Sequence, residues 1–181
     1  MKLQLGTGNK PLKDFINMDM LALEGVGVIH NANDFPYPFM NNQFSYVYSE
    51  YVFEHLDDIG NVLKELHRVC KSKAILEIVV PHFTHHRAFG DLTHTHFFSY
   101  TSFDNYVINN DEERNVNYYN FYGYILEERT IYFYQKNKKG IGTKFLIPLQ
   151  ILFNKFPMIY ERFFCYLFPA TQIRFKLRVK K

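Results

Sequence analysis

Two apolar runs near the N-terminus, joined by a glycine loop, limit the folds open to this chain more than any other feature. The first run leads from Leu3 into the loop Gly6–Asn9, and the second, Phe15–Met18, ends on Asp19. Glycine permits the positive φ and the close ligand approach that a sharp turn after a buried strand needs. A carboxylate ending the next strand can accept hydrogen bonds from both hydroxyls of a ribose. The pattern predicts a nucleotide-type cofactor site, although a tight turn with a solvated Asp explains the same residues.

Composition predicts one globular domain with a sizeable core, because the 181 residues are 47% apolar and 22% charged. The two cysteines, Cys70 and Cys165, lie far apart in apolar patterns, which argues against a disulfide framework and indicates a reducing compartment. Lys10, Lys13 and Asp14 interrupt the only stretch that could serve as a signal peptide. We therefore expect a cytoplasmic protein.

Charge is distributed unevenly along the chain. Residues 1–135 hold 10 Lys/Arg against 17 Asp/Glu, whereas residues 136–181 hold 11 against a single Glu. A basic, aromatic-rich tail can face phosphate groups or an anionic membrane, and solvated lysines on a final strand explain it equally well. The acidic main body and the lack of an RNA-reading motif argue against nucleic acid as a partner.

Short apolar runs separated by turns predict an α/β sheet. Strands are expected at residues 25–30, 44–48, 74–80, 124–134 and 171–180, in addition to the two already described. The near-continuous run at 74–80 is typical of a central parallel strand, and the strict alternation at 171–180 predicts an antiparallel closing strand. Residues 136–142 read as a basic turn. The apolar stretch 145–168 is interrupted by Pro157 and by polar residues, so we predict two short amphipathic helices rather than a membrane span.

One longer helix is predicted to start at Asp57 as N-cap. Its buried face would carry Ile59, Val62, Leu63, Leu66, Val69 and Cys70, and its solvent face Lys64, Glu65 and Arg68.

Polar residues follow each predicted parallel strand. These are Gly6–Asn9, Asp19, Asn31 and the pair Ser49-Glu50. Ligands of parallel sheets bind at the carboxyl ends of the strands, so we expect these residues to gather at one crevice.

Three segments, Leu5–Asp19, Pro36–Phe39 and Asn42–Leu56, together resemble the class I S-adenosylmethionine-dependent methyltransferases. The resemblance is to their small single-domain members and covers residues 3–105. It implies a Rossmann-like three-layer sandwich with a mostly parallel seven-stranded sheet and an antiparallel last strand. It also implies one domain over residues 1–181, with a cofactor-binding core at 1–105 and a sheet-closing part at 106–181 that contains the apolar insertion 145–168.

The resemblance also implies a set of residues for S-adenosyl-L-methionine. Asp19 would hold the ribose and Met20 would pack beside the adenine, while Ser49 would border the methionine part. The remaining implied residues are Gly6, Thr7, Gly8 and Asn9 at the amino-acid part, and Asn31 and Ala32 at the adenine.

Two departures from the family pattern stand out. Lys10 occupies the place of a frequent third glycine, and Asn31 replaces the usual acid, although its side-chain oxygen can still accept a hydrogen bond. Ten residues separate Gly8 from Asp19, too few for the helix that normally crosses between these strands. We therefore predict a shortened first crossover.

Five of the eight histidines fall within residues 82–96, and three roles remain open for this loop. In one, His94 is a general base that Asp91 orients, with His82 and His96 also on the acceptor side. In another, Asp91, His94 and His96 bind a divalent metal, although no second ligand cluster supports a metal site. In the third, the loop is structural and packs under neighbouring aromatic rings.

The leading functional prediction is methyl transfer to an oxygen or nitrogen of a small-molecule or glycan/lipid-linked acceptor. A non-catalytic cofactor-binding module of the same fold and a metal-dependent hydrolase built on the loop 82–96 are the alternatives. Peripheral membrane contact through residues 145–181 is a further expectation, and the oligomeric state is not predicted.

Overall fold

A computed structural model describes residues 1–108, 123–134 and 141–181, with side chains in the last range from residue 146 onward. The predicted basic turn at 136–142 lies mostly outside these residues. Seven strands form one sheet in the order β3-β2-β1-β4-β5-β7-β6. They are β1 (Lys2–Leu5), β2 (Ile16–Asp19), β3 (Val28–Ile29), β4 (Phe44–Glu50), β5 (Cys70–Pro81), β6 (Tyr124–Tyr132) and β7 (Gln172–Val179).

The first five strands are parallel, and β7 runs antiparallel between β5 and β6. The predicted Rossmann-like α/β fold, with a mostly parallel sheet and an antiparallel last strand, is confirmed. The helices are α1 (Ile59–Val69), α2 (His86–Gly90), α3 (Ile141–Lys155) and α4 (Pro157–Ile159), which continues as a π-helical turn, Tyr160–Phe164. A three-layer sandwich has a helical layer on each side of the sheet. The described residues form the sheet and the helical layer on the side of α1.

Helix α1 begins one residue later than predicted. Asp58, not Asp57, is the N-cap, because its carboxylate accepts a hydrogen bond from the Asn61 N–H at 2.9 Å. Glu65 was expected on the solvent face but is buried, since its carboxylate pairs with Arg68 and accepts from the Tyr37 N–H at 2.7 Å. Apolar periodicity alone cannot detect such a partly buried ion pair.

One face of the sheet is apolar. A row of paired residues crosses six strands on this face: Ile16, Leu3, Val47, Leu76, Leu177 and Leu126. The buried side chains of α1 belong to the same cluster. Burial of this face, at about 25 cal/mol per Å² of apolar surface, is the main source of folding free energy.

The other face is polar. The neighbouring row, one residue along each strand, reads Asn17, Gln4, Tyr48, Glu77, Lys176 and Glu128. From β4 onward these side chains are only partly buried. We refer to the two surfaces as the apolar face and the polar face.

The first crossover contains no helix, as predicted. Gln4 and Asn17 hold its loop instead: the Leu12 N–H donates to the Gln4 side-chain oxygen at 2.8 Å, and Asn17 Nδ2 donates to the Leu12 carbonyl at 3.2 Å. Two buried carboxamides thus replace helix packing over this end of the polar face.

The segment between β6 and β7 forms the predicted helical insertion, but its first helix starts at Ile141, before the expected range. Asn154 fixes it to the edge strand, donating to the Ile131 carbonyl and accepting from the Ile131 N–H, both at 2.8 Å. Phe133, Phe153 and Tyr160 pack together beneath it. Among the described helices, none is long and apolar enough to cross a membrane.

Candidate functional site

A cleft of about 1160 Å³ opens at the carboxyl ends of β1, β2 and β4 and continues over the polar face. We call it the strand-tip cleft. None of its lining residues in the described chain belongs to α1–α4. One end is lined by Gly6, Thr7, Gly8, Asn9, Asp19, Met20, Asn31 and Ala32, and the rest includes Tyr48, Glu50, Tyr51, His55, Thr93, Tyr132, Gln172 and Arg174. Eight of the nine residues predicted for a cofactor therefore meet in one place.

The glycine loop takes the backbone conformation predicted for it. Gly6 and Gly8 have φ values of +70° and +52°. A Cβ on Gly6 would lie 2.1 Å from Val52 Cγ2, whereas one on Gly8 would meet no atom within 4 Å. Gly6 is therefore required for packing as well as conformation, and Gly8 for conformation and an open approach to the cleft.

Backbone N–H groups of this loop are already used within the chain. The N–H groups of Gly6 and Thr7 donate to the Met18 carbonyl at 2.9 and 3.2 Å. The Gly8 N–H donates to Asp19 Oδ2 at 2.8 Å. These bonds fasten the loop to the end of β2 and fix the Asp19 carboxylate at the floor of the cleft.

Asp19 ends β2 and is partly exposed to the cleft. Its second oxygen accepts from the Leu21 N–H at 3.0 Å. Each carboxylate oxygen has a further lone pair, so Asp19 can still accept hydrogen bonds from a ligand diol. Met20, beside it, leaves 63% of its surface exposed, which is an apolar contact surface for a flat ring.

Asn31 and Ala32 follow β3 and line the same end of the cleft. The side-chain oxygen of Asn31 accepts from the Asn33 N–H at 3.0 Å, and the Ala32 carbonyl accepts from the Tyr37 hydroxyl at 2.9 Å. The loop is thereby held rigid, and Asn31 can offer a ligand its amide donors as well as its remaining lone pair.

Ser49 requires a correction. It pairs with Leu5 and Ile78 on the apolar face, is 1% exposed and does not line the cleft. Side chains alternate along a strand, so its neighbour Glu50 reaches the cleft instead. Tyr51, which follows the end of β4 and has a φ of +57°, also lines the cleft. Within the described part of the chain, the Ser49 hydroxyl has no hydrogen-bond partner.

The predicted Asp91–His94 dyad is also corrected. His94 Nε2 lies 4.0 Å from Asp91 Oδ2, beyond hydrogen-bond distance, and Asp91 Oδ1 instead accepts from the Thr93 hydroxyl at 2.7 Å. Hydrogen bonds from Thr93 hold the pKa of Asp91 below its usual value. A backbone group orients His94, whose Nδ1 lies 2.9 Å from the Ala88 carbonyl.

His82 and His96 do not line the strand-tip cleft. His82 is fully buried, with Thr84 at 2.7 Å from Nδ1 and Glu161 at 3.2 Å from Nε2. His96 has a buried Nε2 with no hydrogen-bond partner among the described residues. The contacts of His82 with Thr84 and Glu161 stabilise the loop 82–96.

Glu54 and His55 were not predicted as site residues; with Phe53 they form a short 3-10 turn after β4. His55 lines the cleft beside Thr93, and the two side chains are hydrogen-bonded at 2.9 Å. Glu54 is 1% exposed, and burial raises its pKa to about 7. The adjacent acid and histidine in the loop that follows the predicted strand 44–48 were the available signal.

The far part of the cleft has a charged floor. The Tyr46 hydroxyl donates to Glu77 at 2.6 Å, and Arg174 pairs with Glu128 at 2.6 Å. Burial, followed by the hydrogen bond to Glu77, raises the pKa of Tyr46. Arg174 lines the cleft together with Glu50 and Glu77, so this region offers a polar ligand both a charged donor and carboxylate acceptors.

Comparison with protein families gives one match. A model described as a methyltransferase domain matches residues 11–78, which span β2 to most of β5 and leave out the glycine loop. No curated protein matches the chain by sequence.

Solved structures share the fold over nearly the whole chain. The YcgJ protein of Bacillus subtilis is 14% identical, with a TM-score of 0.57 over 99% of this chain and 91% of that one. An S-adenosylmethionine-dependent methyltransferase of Mesorhizobium loti is 9% identical, with a TM-score of 0.55 over 98% and 89%. A further such enzyme, from Archaeoglobus fulgidus, is 14% identical, with a TM-score of 0.53 over 91% and 75%.

These identities are low and show the fold; the family model adds the class of domain. The mostly parallel sheet with antiparallel last strands agrees with the shared fold, and the region that the family model matches includes Asp19 at the tip of β2. Residues 11–78 are thus similar to a methyltransferase domain, and the whole chain shares its fold with S-adenosylmethionine-dependent methyltransferases.

Proposed function

We propose that the protein transfers the methyl group of S-adenosylmethionine to an oxygen or nitrogen of a small-molecule or glycan/lipid-linked acceptor. The observation that carries this proposal is the continuity of the strand-tip cleft. It runs from Asp19 at one end to His55, Thr93 and Arg174 at the other. A cofactor and a second, polar molecule can therefore occupy one cavity.

The cofactor end fits the group that the family uses. Asp19 keeps free lone pairs for the ribose hydroxyls, Met20 offers an exposed apolar surface for the adenine, and the open side of Gly8 admits the amino-acid part. Asn31 and Ala32 complete the adenine side. The cofactor supplies an electrophilic methyl group, and the chain must supply the alignment.

At the acceptor end, the imidazole of His55 is placed to accept a proton. The Thr93 hydroxyl donates its only hydrogen to Asp91, so it accepts from Nδ1–H of His55 and leaves Nε2 of that ring with a free lone pair. His94 packs against His55 with ring centroids 4.6 Å apart. We assign these two histidines, with Asp91 holding Thr93, to acceptor binding and proton removal.

A lipid-linked acceptor is favoured by the surface of the insertion between β6 and β7. Its exposed large apolar side chains are Ile147, Ile151, Leu152, Phe156, Met158, Ile159, Phe163, Phe164, Tyr166, Leu167 and Phe168. We call this set the aromatic surface. Lys155 and Arg162 lie over the rings of Phe156 and Phe163 within it. Apolar groups flanked by cations are typical of segments that lie in an anionic membrane interface.

Methyl transfer tests the function. The protein is incubated with methyl-labelled S-adenosylmethionine and separate fractions of soluble glycans, lipid-linked glycans and small metabolites. We expect labelled product in one fraction, with His55→Ala retaining S-adenosylhomocysteine binding but losing most of the rate. Cofactor binding without labelled product in any fraction would support the non-catalytic alternative.

Vesicle co-sedimentation tests the membrane part separately. The protein should sediment with phosphatidylglycerol vesicles, less with phosphatidylcholine alone, and less when Phe163 and Leu167 are both changed to Ser. Met40→Ser is the matched control, since Met40 is 76% exposed and lies outside the aromatic surface. Equal sedimentation of the double variant and wild type, or self-association without vesicle binding, would contradict this assignment.

A further inference from the structure

Three potential metal-binding side chains meet beside the strand-tip cleft. A carboxylate oxygen of Glu54 and one ring nitrogen each of His55 and His94 lie within 4.8 Å of one another. The backbone brings them together: the N–H groups of Thr95 and His96 donate to the Glu54 carbonyl at 2.8 and 3.3 Å. The loop that carries His94 is thus attached directly to the turn that carries Glu54 and His55.

His55 and His94 each have one ring nitrogen in a hydrogen bond within the chain, as metal-binding histidines usually do. Nδ1–H of His94 donates to the Ala88 carbonyl, because a carbonyl can only accept. Nδ1–H of His55 donates to the Thr93 hydroxyl, for the reason given above. Ligating imidazoles commonly donate one ring N–H to such a partner, which fixes the ring and leaves the other nitrogen for the ion.

Glu54 provides an independent observation. Its side chain is almost fully buried, and Oε2 has no hydrogen-bond partner among the described residues. A buried carboxylate oxygen without a partner is costly, commonly by several kcal/mol when the group is charged. A cation bound between Glu54 and the two imidazoles would satisfy it.

We infer that Glu54, His55 and His94 form a binding site for a divalent transition metal ion. Two neutral imidazoles and one carboxylate are a donor set that zinc and its first-row neighbours accept, with a position left for another ligand. Ligand atoms around one zinc ion stand roughly 3.4 Å apart, so atoms up to 4.8 Å apart need to close by at most about 1.4 Å. Asp91, 4.0 Å from His94, is close enough to contribute a further oxygen.

The location suggests a role, which rests on the proposed function. His55 and Thr93 line the cleft, so an acceptor hydroxyl there could use the open coordination position. Coordination lowers the pKa of a bound hydroxyl. In the metal-bound protein the ion would therefore promote proton loss in place of His55, because the free ring nitrogen of His55 is then a ligand. The acceptor oxygen would then lose its proton to solvent and form the bond to the methyl carbon, while the carbon–sulfur bond breaks and its electrons remain on sulfur as S-adenosylhomocysteine.

Zinc titration of chelator-treated full-length protein tests the site without reference to activity. We expect one zinc ion per chain by calorimetry and a rise in Tm on adding zinc. Glu54→Gln should weaken zinc binding at least tenfold while leaving the metal-free Tm unchanged or higher, since it removes a buried charge without changing shape. His94→Ala should weaken binding similarly.

His86→Ala is the matched control, because His86 lies in the same histidine-rich loop outside the three-residue cluster. It should bind zinc as wild type does. S-adenosylhomocysteine binding is measured on the same samples and should not depend on zinc, so failure of the metal site is distinguishable from failure of the methyltransferase assignment. Absence of stoichiometric zinc binding, or equal zinc affinity in wild type and both variants, would overturn the inference.

Discussion

Adjacent residues along each strand point to opposite faces of the sheet, and these two faces differ in chemistry. On the apolar face, Leu3, Val47 and Leu76 form a continuous row, and each residue is at most 1% exposed. On the polar face, the adjacent row carries Tyr48, Glu77 and Lys176, which are half-buried. Of these, Tyr48 and Glu77 line the cleft. The apolar face holds the fold together, and the polar face is available for ligands.

Because the two faces differ in chemistry, mutations on them should have different effects. Removing buried carbon from the apolar face leaves a cavity, while neutral changes on the polar face remove single hydrogen bonds that water can replace. Stability and ligand binding should therefore respond to different sets of substitutions.

Phe175→Ala on the apolar face should cost about 3–5 kcal/mol of unfolding free energy. The ring is fully buried and packs on Phe103 at a centroid distance of 4.8 Å. Tyr46→Phe on the polar face is the comparison; it loses only the hydroxyl bond to Glu77 and should cost about 1 kcal/mol. Urea unfolding of the two variants measures both values, and equal losses would contradict the proposed difference between the faces.

Gly6→Ala should destabilise the chain by about 2–3 kcal/mol and weaken S-adenosylhomocysteine binding, because its Cβ would collide with Val52 at a positive φ. Gly8→Ala has a positive φ but open space around the added atom, so about 1 kcal/mol is expected. Thermal unfolding with and without ligand compares the pair. A larger loss for Gly8→Ala than for Gly6→Ala would show that the loop is not packed as described.

Acid stability should reveal the ion pairs of the polar face. Lys176, with Thr130 and Arg174, lowers the pKa of Glu128 to about 2. Its unfolded pKa is about 4.3, so its contribution to stability is present above that pH and is lost as the pH falls towards 2. The effect should be small because the Glu128 side chain is 39% exposed. Wild type should lose slightly more stability than Glu128→Gln between these pH values in urea unfolding, and an identical pH dependence would argue against the pairing.

The strands of the sheet could be predicted from the sequence because strand periodicity and the glycine loop are local signals. Asp19 and Gly6 could be placed at the cleft for the same reason. Ser49 was misplaced by one residue, although alternation from Val47 would have put it on the apolar face. Glu54 and His55 could not be placed, since the orientation of side chains in a 3-10 turn follows from packing against residues 95–96, far along the chain.

Calorimetry with S-adenosylhomocysteine on wild type and Asp19→Ala tests whether the strand-tip cleft binds the cofactor. We expect one binding site per wild-type chain and at least a tenfold weaker affinity for Asp19→Ala, because two hydrogen bonds from the ribose to a carboxylate are lost. Met40→Ser should bind as wild type does. Absence of binding by wild type, or equal affinity in Asp19→Ala, would contradict the assignment of the strand-tip cleft as the cofactor site.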